Sequence, residues 1–196
     1  MNAPVVTPRH AASLLLLREA AAGPEVLMGL RHAGHRFMPN RLVFPGGGVD
    51  ADDHAAPAAT PLRPAVRARL EAAADPALAH ALAIAAAREL EEETGLTLGR
   101  PPPLDGLDYL CRAITPESQP VRFDARFFVV PAEAASGTLA GSGELEDLRF
   151  FPVAQALALD LAGVTRRVLA RLMVWREMTP DQRAAVTAAE MMLRRP

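Results

Sequence analysis

The 196-residue sequence has no lysine and only one cysteine, one tryptophan and one tyrosine. The single cysteine, Cys111, excludes an intramolecular disulfide and is compatible with a reducing compartment. All 21 basic residues are arginines. This pattern indicates codon bias, although a guanidinium group also suits bidentate phosphate contacts. The formal net charge is −2 and no basic block is present, so we expect no nucleic-acid partner.

The sequence also has no long hydrophobic run. Its most apolar N-terminal stretch, AASLLLL, covers residues 11–17 and is followed at once by Arg18 and Glu19. This stretch is too short for a membrane span and poorly flanked for a signal peptide. We therefore interpret it as a β-strand of a cytoplasmic protein without a membrane partner.

Apolar periodicity and turn residues predict one α+β domain over residues 1–196. The predicted strands cover residues 11–17, 26–31, 107–114, 122–130 and 145–151, and a glycine-rich loop lies at 44–53. The first predicted helix begins at 60–61 or at 64. Four further helices are predicted at 76–94, 152–159, 164–176 and 180–194, so C-terminal helices occupy about 164–194. The helix at 164–176 carries an apolar stripe that fits either the core or a homodimer face: Val164, Val168, Leu172 and Trp175.

The long central helix ends in RELEEE, residues 88–93, where five of six side chains are charged. Glu89, Glu92 and Glu93 lie within a 100° arc of the helix, whereas Glu91 projects to nearly the opposite side. Three carboxylates on one helix face suit a hard divalent cation, which prefers oxygen ligands. A solvated acidic face is the alternative, and the cluster alone does not decide between the two.

The residues around this cluster carry a resemblance to a known family. RELEEETGL, residues 88–96, agrees at every specified position with REUxEExGU, the second half of the Nudix signature, where U is a bulky aliphatic residue. The first half, Gx5E, aligns from Gly47 to Asp53, with aspartate in place of glutamate. The sequence therefore resembles the Nudix hydrolases. This resemblance implies an α/β/α sandwich, bound Mg²⁺ or Mn²⁺, and hydrolysis of a diphosphate linked to a nucleoside.

The resemblance also implies roles for individual residues. Glu89, Glu92 and Glu93 would be metal ligands, and Arg88 would support them. Glu89, Glu92 and Arg88 would thereby take part in catalysis, and the loop at Gly46 and Gly47 would bring backbone close to the metal and the phosphates. The general base varies within the family, and three candidates stay open: Glu89, Glu117 and Glu144.

One departure from the family pattern concerns the spacing inside the signature. Between Asp53 and Arg88 lie 34 residues, 27 more than the seven that are usual in the family. The excess contains a predicted helix, so it is interpreted as a folded insertion at about 54–80. We expect this insertion to lie beside the active site and to shape substrate access. A similar interruption occurs in the Nudix branch typified by the peroxisomal coenzyme A diphosphatase.

A second segment resembles the same branch. LMGLRHAGHRFMPNRLVFPGG, residues 27–47, has the spacing of the coenzyme A pattern LLTxR[SA]x3Rx3Gx3FPGG. Arg31, Arg36 and the FPGG tetrapeptide match this pattern, while Gly29, His32 and Asn40 depart from it. The resemblance implies that Arg31 and Arg36 bind the nucleotide of coenzyme A or acyl-CoA, which would be cleaved to 3′,5′-ADP and (acyl-)phosphopantetheine.

Two further arginines have a structural and a functional interpretation. Arg122 and Arg126 stand at even spacing on a predicted strand, so they share one face. They either line the substrate cleft or are ordinary exposed strand charges.

Three functions follow from these patterns. The first is a diphosphatase for coenzyme A-like substrates, and the second is an ADP-ribose or nucleotide-sugar diphosphatase with the same helix. The third is a non-catalytic Nudix-fold nucleotide sensor. The complete acidic cluster and the lack of a visible DNA-binding module favour an enzyme.

Overall fold

The computed structural model describes residues 6–32, 34, 41–187 and 192–193. The elements follow one another as β1 (Arg9–Ala20), β2 (Gly23–Arg31), β3 (Leu42–Val43), β4 (Gly46–Gly48), α1 (Pro64–Glu71), α2 (Pro76–Thr94), β5 (Leu96–Thr97), β6 (Asp108–Ile114), β7 (Phe123–Pro131), β8 (Ser136–Gly137), β9 (Leu145–Pro152), α3 (Val153–Ala158), α4 (Gly163–Arg176) and α5 (Pro180–Ala185). This mixture of elements confirms the predicted α+β class.

Seven strands form a mixed sheet with β1 at its centre. The main path is β3-β2-β1-β7-β6, with β4 paired to β1 and β9 paired to β2. β1 and β7 are parallel, whereas β1 pairs antiparallel with β2 and β4. The short strand β4 pairs with residues 11–13 of β1, so the glycine-rich segment is fixed to the central strand.

Two apolar layers cover the two faces of this sheet. Leu14 and Leu16 of β1 pack into a core with α1 and α2. Leu15 points the other way and packs into a second core with α3 and α4. Because successive strand residues alternate between the faces, one apolar strand serves both cores. The predicted α/β/α layering is therefore present.

The sequence predicts the two ends of α2 correctly. The Asp75 carboxylate accepts a hydrogen bond of 2.8 Å from the backbone N–H of Leu78, and Pro76 follows at the first helical position. Gly95 ends the helix with φ +73°, and a Cβ at this position would lie 2.7 Å from the carbonyl oxygen of Thr138. Only glycine fits such a position, so the acidic last turn of α2 has a fixed end.

The insertion contributes to the core beneath α2. Its side chains Leu62, Val66 and Leu70 are buried in the same cluster as α2. Ala73 accepts a hydrogen bond of 3.0 Å from Nη2 of the buried Arg126, which ties the insertion to the sheet. A helix does form within the insertion, and it begins at Pro64, the second of the two predicted starts.

The C-terminal part differs from its prediction in one element. A single helix over 180–194 is wrong, because α5 ends at Ala185 and is followed by Val186 in an extended conformation. Met192 forms a bridge with Arg112, and the N–H of Leu193 donates to the Arg112 carbonyl over 2.8 Å. The apolar stripe of α4 lies in the core, with Val168 and Leu172 fully buried.

None of the helices in the described ranges is long and apolar enough to cross a membrane alone. α1 and α2 reach that length and composition only when they are taken together, and they are bent by 113° at the break between them.

A buried ion-pair cluster joins β6 and β7. Nε and Nη2 of Arg112 each donate to the Asp124 carboxylate over 2.7 Å, and Arg126 pairs with the same carboxylate at 2.6 Å. The Arg126 side chain is 1% exposed and the Asp124 side chain 6%. Burial raises the pKa of Asp124, but the hydrogen bonds from Arg112 and the charge of Arg126 outweigh it and hold this pKa below its usual value.

We predict that Asp124→Asn lowers the free energy of unfolding by about 3–5 kcal/mol, because it leaves buried Arg126 without its carboxylate. Urea unfolding at pH 7 measures this change. The folded-state pKa of Asp124 is lowered, so its contribution is present above the unfolded value of 3.8 and is lost as the pH falls through the folded value. The variant should therefore lose less stability on acidification than the wild type.

Asp147→Asn is the matched control, because it breaks the exposed pair between Asp147 and Arg149. We expect a change below about 1 kcal/mol for this variant. Equal effects of the two substitutions would contradict a structural role for the buried cluster.

Candidate active site

Two glycines of β4 press against the glutamates of α2. The backbone N–H of Gly46 donates a hydrogen bond of 2.8 Å to Oε2 of Glu93. A Cβ at Gly47 would lie 2.4 Å from Oε1 of Glu89, and a Cβ at Gly46 would lie 2.4 Å from the carbonyl oxygen of Ala12. Backbone can approach the acidic helix this closely only where no side chain is present.

Arg88 connects the acidic residues of the site. Its Nε and Nη2 each donate to Asp53 over 3.0 Å, and Nη2 also donates to the carbonyl of Gly48 over 2.9 Å. Nη1 donates to Glu89 over 2.9 Å and to Glu92 over 3.0 Å. The hydrogen bonds that Arg88 donates to Asp53, and then the charge of Glu89, raise the pKa of Arg88 well above its usual value and outweigh the opposing effect of burial. One guanidinium group therefore orients three carboxylates.

Asp53 lies beside Arg88 despite the insertion that follows it. A turn of 3₁₀-helix at Asp52–His54 holds it, its Oδ2 accepts from the N–H of Asp50 over 2.8 Å, and the residue is 2% exposed. Both carboxylate oxygens of Asp53 bond to Arg88. The position of the signature glutamate is thus filled by a residue that fixes Arg88.

The carboxylates of the site differ in their environments. Burial raises the pKa of Glu93 to about 8, although the N–H of Gly46 opposes this shift. Burial also raises the pKa of Glu89, against the effect of Arg88, and the charges of Glu92 and Glu144 raise it further. The Glu92 side chain is 58% exposed. The site therefore concentrates more negative charge than Arg88 neutralises.

Glu91 lies away from this cluster, as its helical phase predicts. Its Oε2 accepts a hydrogen bond of 2.9 Å from the hydroxyl of Thr97, and its Oε1 pairs with Arg100. The neighbouring glutamate thus has a separate, structural set of partners.

The donor chemistry of the site fits a divalent cation such as Mg²⁺ or Mn²⁺. Carboxylate oxygens are the ligands these ions prefer, and a cation would offset the charge on buried Glu89 and Glu93. In the described part of the chain, no three His, Cys, Asp or Glu side chains are already grouped as a metal site. Arg88 bonds to both Glu89 and Glu92, so two of the carboxylates that would hold the ion are paired with a guanidinium group in this structure.

A cavity of about 630 Å³ adjoins this cluster on the α4 side of the sheet. Gly46 and Gly47 line it, so the β4 backbone separates the cavity from Glu89 and Glu93. Its walls are largely apolar and include three aromatic rings, those of Phe44, Phe123 and Phe127. Such a mostly apolar cavity with a few polar groups is typical of small-molecule sites.

The four arginines that were predicted to bind substrate do not all lie at the cavity. Arg31 lines the cavity, together with the two glycines, and Arg36 lies outside the described residues. Arg126 is buried on the opposite face of the sheet, and Arg122 donates to the carbonyls of Thr115 and Val6. Placing Arg122 and Arg126 in the cleft was therefore wrong.

The reason is the alternation of β7. Phe123, Ala125 and Phe127 face the cavity, which directs Asp124 and Arg126 to the other side. No described residue of 54–80 lines this cavity, and the expectation that the insertion shapes substrate access stays a prediction.

The two loop glutamates that are candidates for the general base lie at different distances from the acidic cluster. Glu144 lies close enough to Glu89 and Glu93 for its charge to raise the pKa of both. Glu117 is exposed and has no such effect on either glutamate.

One residue of the cavity, Arg167 on α4, was not predicted. It borders the apolar stripe of this helix, three residues after Val164, and only that position could have indicated it.

Comparison with known proteins agrees with this geometry. Residues 79–172 match the family model described as the NUDIX domain. No curated protein matches the chain. The structure is similar to that of a NUDIX hydrolase from Alicyclobacillus acidocaldarius, with 24% sequence identity, a TM-score of 0.69, and coverage of 94% of this chain and 98% of that one.

Two further solved structures are similar. The MutT NUDIX hydrolase from Burkholderia pseudomallei has 21% identity and a TM-score of 0.55, with 85% of this chain and 99% of that chain covered. The NUDIX domain of Shewanella oneidensis NrtR, complexed with ADP ribose, has 16% identity and a TM-score of 0.54, covering 87% of this chain and 90% of that chain. The matched family model contains the acidic end of α2, and the fold is shared over most of the chain, so residues 79–172 match the NUDIX domain and the chain has the fold of Nudix hydrolases.

Proposed function

We propose that this protein is a Nudix hydrolase, a metal-dependent diphosphatase acting on coenzyme A, acyl-CoA or a related nucleoside diphosphate derivative. The observation that carries this proposal is the position of the glutamates next to the cavity. Arg88 donates hydrogen bonds to Glu89 and Glu92, and the backbone of Gly46 donates one to Glu93. Gly46 and Gly47 also line a cavity large enough for a nucleotide derivative.

The residues of the site divide the chemistry among them. A divalent cation bound by the glutamates would neutralise the negative charge that develops on the diphosphate. Arg88 orients Glu89 and Glu92, and Asp53 fixes Arg88 in turn. Glu144 accepts the proton of the attacking water, because it lies beside the buried glutamates without being held by Arg88. The backbone at Gly46 and Gly47 keeps the substrate close to the helix.

The coenzyme A assignment is supported by the segment that precedes β4. Arg31 and the FPGG tetrapeptide match the coenzyme A pattern, and Arg31, Phe44, Gly46 and Gly47 all line the cavity. A long, weakly polar pantetheine arm also suits its apolar walls. The second candidate is an ADP-ribose diphosphatase, which is favoured by the similar fold of the NrtR domain that was solved with ADP ribose.

We predict that millimolar Mn²⁺ or Mg²⁺ raises the melting temperature and that Glu92→Gln removes most of this rise. A ligand that binds only the folded state stabilises it by mass action, by about 2.7 kcal/mol at one hundred times its dissociation constant. Glu91→Gln is the control, because Glu91 contacts Thr97 and Arg100 instead of the cluster. A thermal-shift titration decides, and equal rises in the wild type and Glu92→Gln would argue against a metal site on α2.

We predict that Glu144→Gln lowers kcat by about 10²–10⁴-fold, the usual contribution of a general base. The metal-induced rise in melting temperature should persist in this variant. Glu117→Gln, which removes the other loop glutamate, should keep wild-type kcat. If Glu144→Gln abolished the metal-induced rise as well, Glu144 would be a metal ligand and the assignment of the base would be wrong.

We predict that hydrolysis of coenzyme A releases 3′,5′-ADP and phosphopantetheine, and that acyl-CoA gives 3′,5′-ADP and acyl-phosphopantetheine, because water attacks the diphosphate and leaves the thioester of acyl-CoA intact. Mass spectrometry of products from a panel of nucleoside diphosphate derivatives, with Mg²⁺ and with Mn²⁺, measures this outcome. Rapid turnover of ADP-ribose with none of coenzyme A would overturn the coenzyme A assignment and leave the diphosphatase assignment in place.

A further inference from the structure

The cavity beside the acidic cluster carries positive charge without a compensating acid. Arg31 and Arg167 are the only charged side chains among the described residues that line it. Neither guanidinium group has a hydrogen bond or an ion pair within the described ranges, and the Nε atom of each is buried without a partner. A buried unpaired donor is costly, so a ligand that brings an acceptor to either group gains that energy back.

The two arginines stand at different parts of the cavity. Arg31 ends β2 near the acidic cluster, where its charge acts on Glu93. Arg167 lies in the second turn of α4 and turns toward the start of that helix. A Cβ at Gly163 would be only 3.4 Å from its Nη1. Its neighbours on α4, Gly163, Val164 and Thr165, also line the cavity. Arg31 thus belongs to the diphosphate end and Arg167 to a second position.

We infer that Arg167 is a specificity-determining residue that binds a second anionic group of the substrate, a phosphate monoester separate from the diphosphate that is cleaved. This inference rests on the proposed function and names the substrate class more narrowly. The enzyme would prefer nucleoside diphosphate derivatives that carry an additional phosphate on a ribose over the same compounds without it.

The chemistry of the position favours phosphate. A guanidinium group presents a planar set of donors that matches two oxygens of a dianionic phosphate. The largely apolar walls of the cavity strengthen such a contact by excluding water. A substrate without the extra phosphate leaves the buried Nε of Arg167 unpaired, so the site discriminates against it.

The test compares matched substrate pairs in the wild type and in Arg167→Gln. The pairs are coenzyme A with 3′-dephospho-CoA, and ADP-ribose 2′-phosphate with ADP-ribose. We expect Arg167→Gln to lower kcat/KM about ten- to a hundredfold on the phosphorylated member and to change it less than about twofold on the other. The pair that shows the larger effect identifies which ribose position carries the recognised phosphate.

Arg171→Gln is the matched control. Arg171 lies one turn further along α4 and also has a buried Nε without a partner, but it does not line the cavity. We expect this variant to keep the wild-type preference for both pairs. A uniform loss on all four substrates in Arg167→Gln, or the same change in both variants, would overturn the inference.

A binding measurement separates this inference from the proposed function. In EDTA, calorimetry should show tighter binding of adenosine 3′,5′-bisphosphate than of AMP by the wild type, and Arg167→Gln should abolish the difference. If the wild type hydrolyses none of the four substrates but keeps this preference, only the diphosphatase proposal fails. If it hydrolyses both members of each pair equally and shows no preference in binding, only the role of Arg167 fails.

Discussion

The pair formed by Arg88 and Asp53 is the interaction on which the rest of the site depends. Two hydrogen bonds of 3.0 Å join the segment before the insertion to the helix after it. The remaining donors of Arg88 orient Glu89 and Glu92, and its bond to Gly48 fixes β4 beside the helix. A guanidinium group can do this because its donors lie in one rigid plane, which a flexible ammonium group does not offer.

The sheet separates the acidic cluster from the cavity. α2, with its carboxylates, packs on one face, and the cavity lies on the other face beneath α4. The two regions meet at β4, where glycine allows the Glu93 carboxylate to bond directly to the backbone of Gly46. Changes in the cavity can therefore alter which compound binds without moving the glutamates.

Local patterns predicted much of this architecture. The Asp75 cap, the Gly95 terminus and the phase of Glu91 are properties of a single helix, so neighbouring residues determine them. Arg126 shows where such reasoning fails. Even spacing told us that Arg122 and Arg126 share a face, but it did not say which face, since that depends on the layers that pack against β7. Arg167 depends in the same way on contacts between elements distant in sequence.

The insertion has a consequence for how such a chain can change over evolutionary time. Asp53 and Arg88 meet across 34 connecting residues, and closing a loop of this length instead of one of seven residues costs only about 1.4 kcal/mol more in entropy. Once Leu62, Val66 and Leu70 had entered the core and Ala73 had accepted Arg126, however, the added segment became part of the folded unit. Acquiring such a segment is therefore thermodynamically easy, whereas losing it again would leave an open cavity and a buried guanidinium group short of an acceptor.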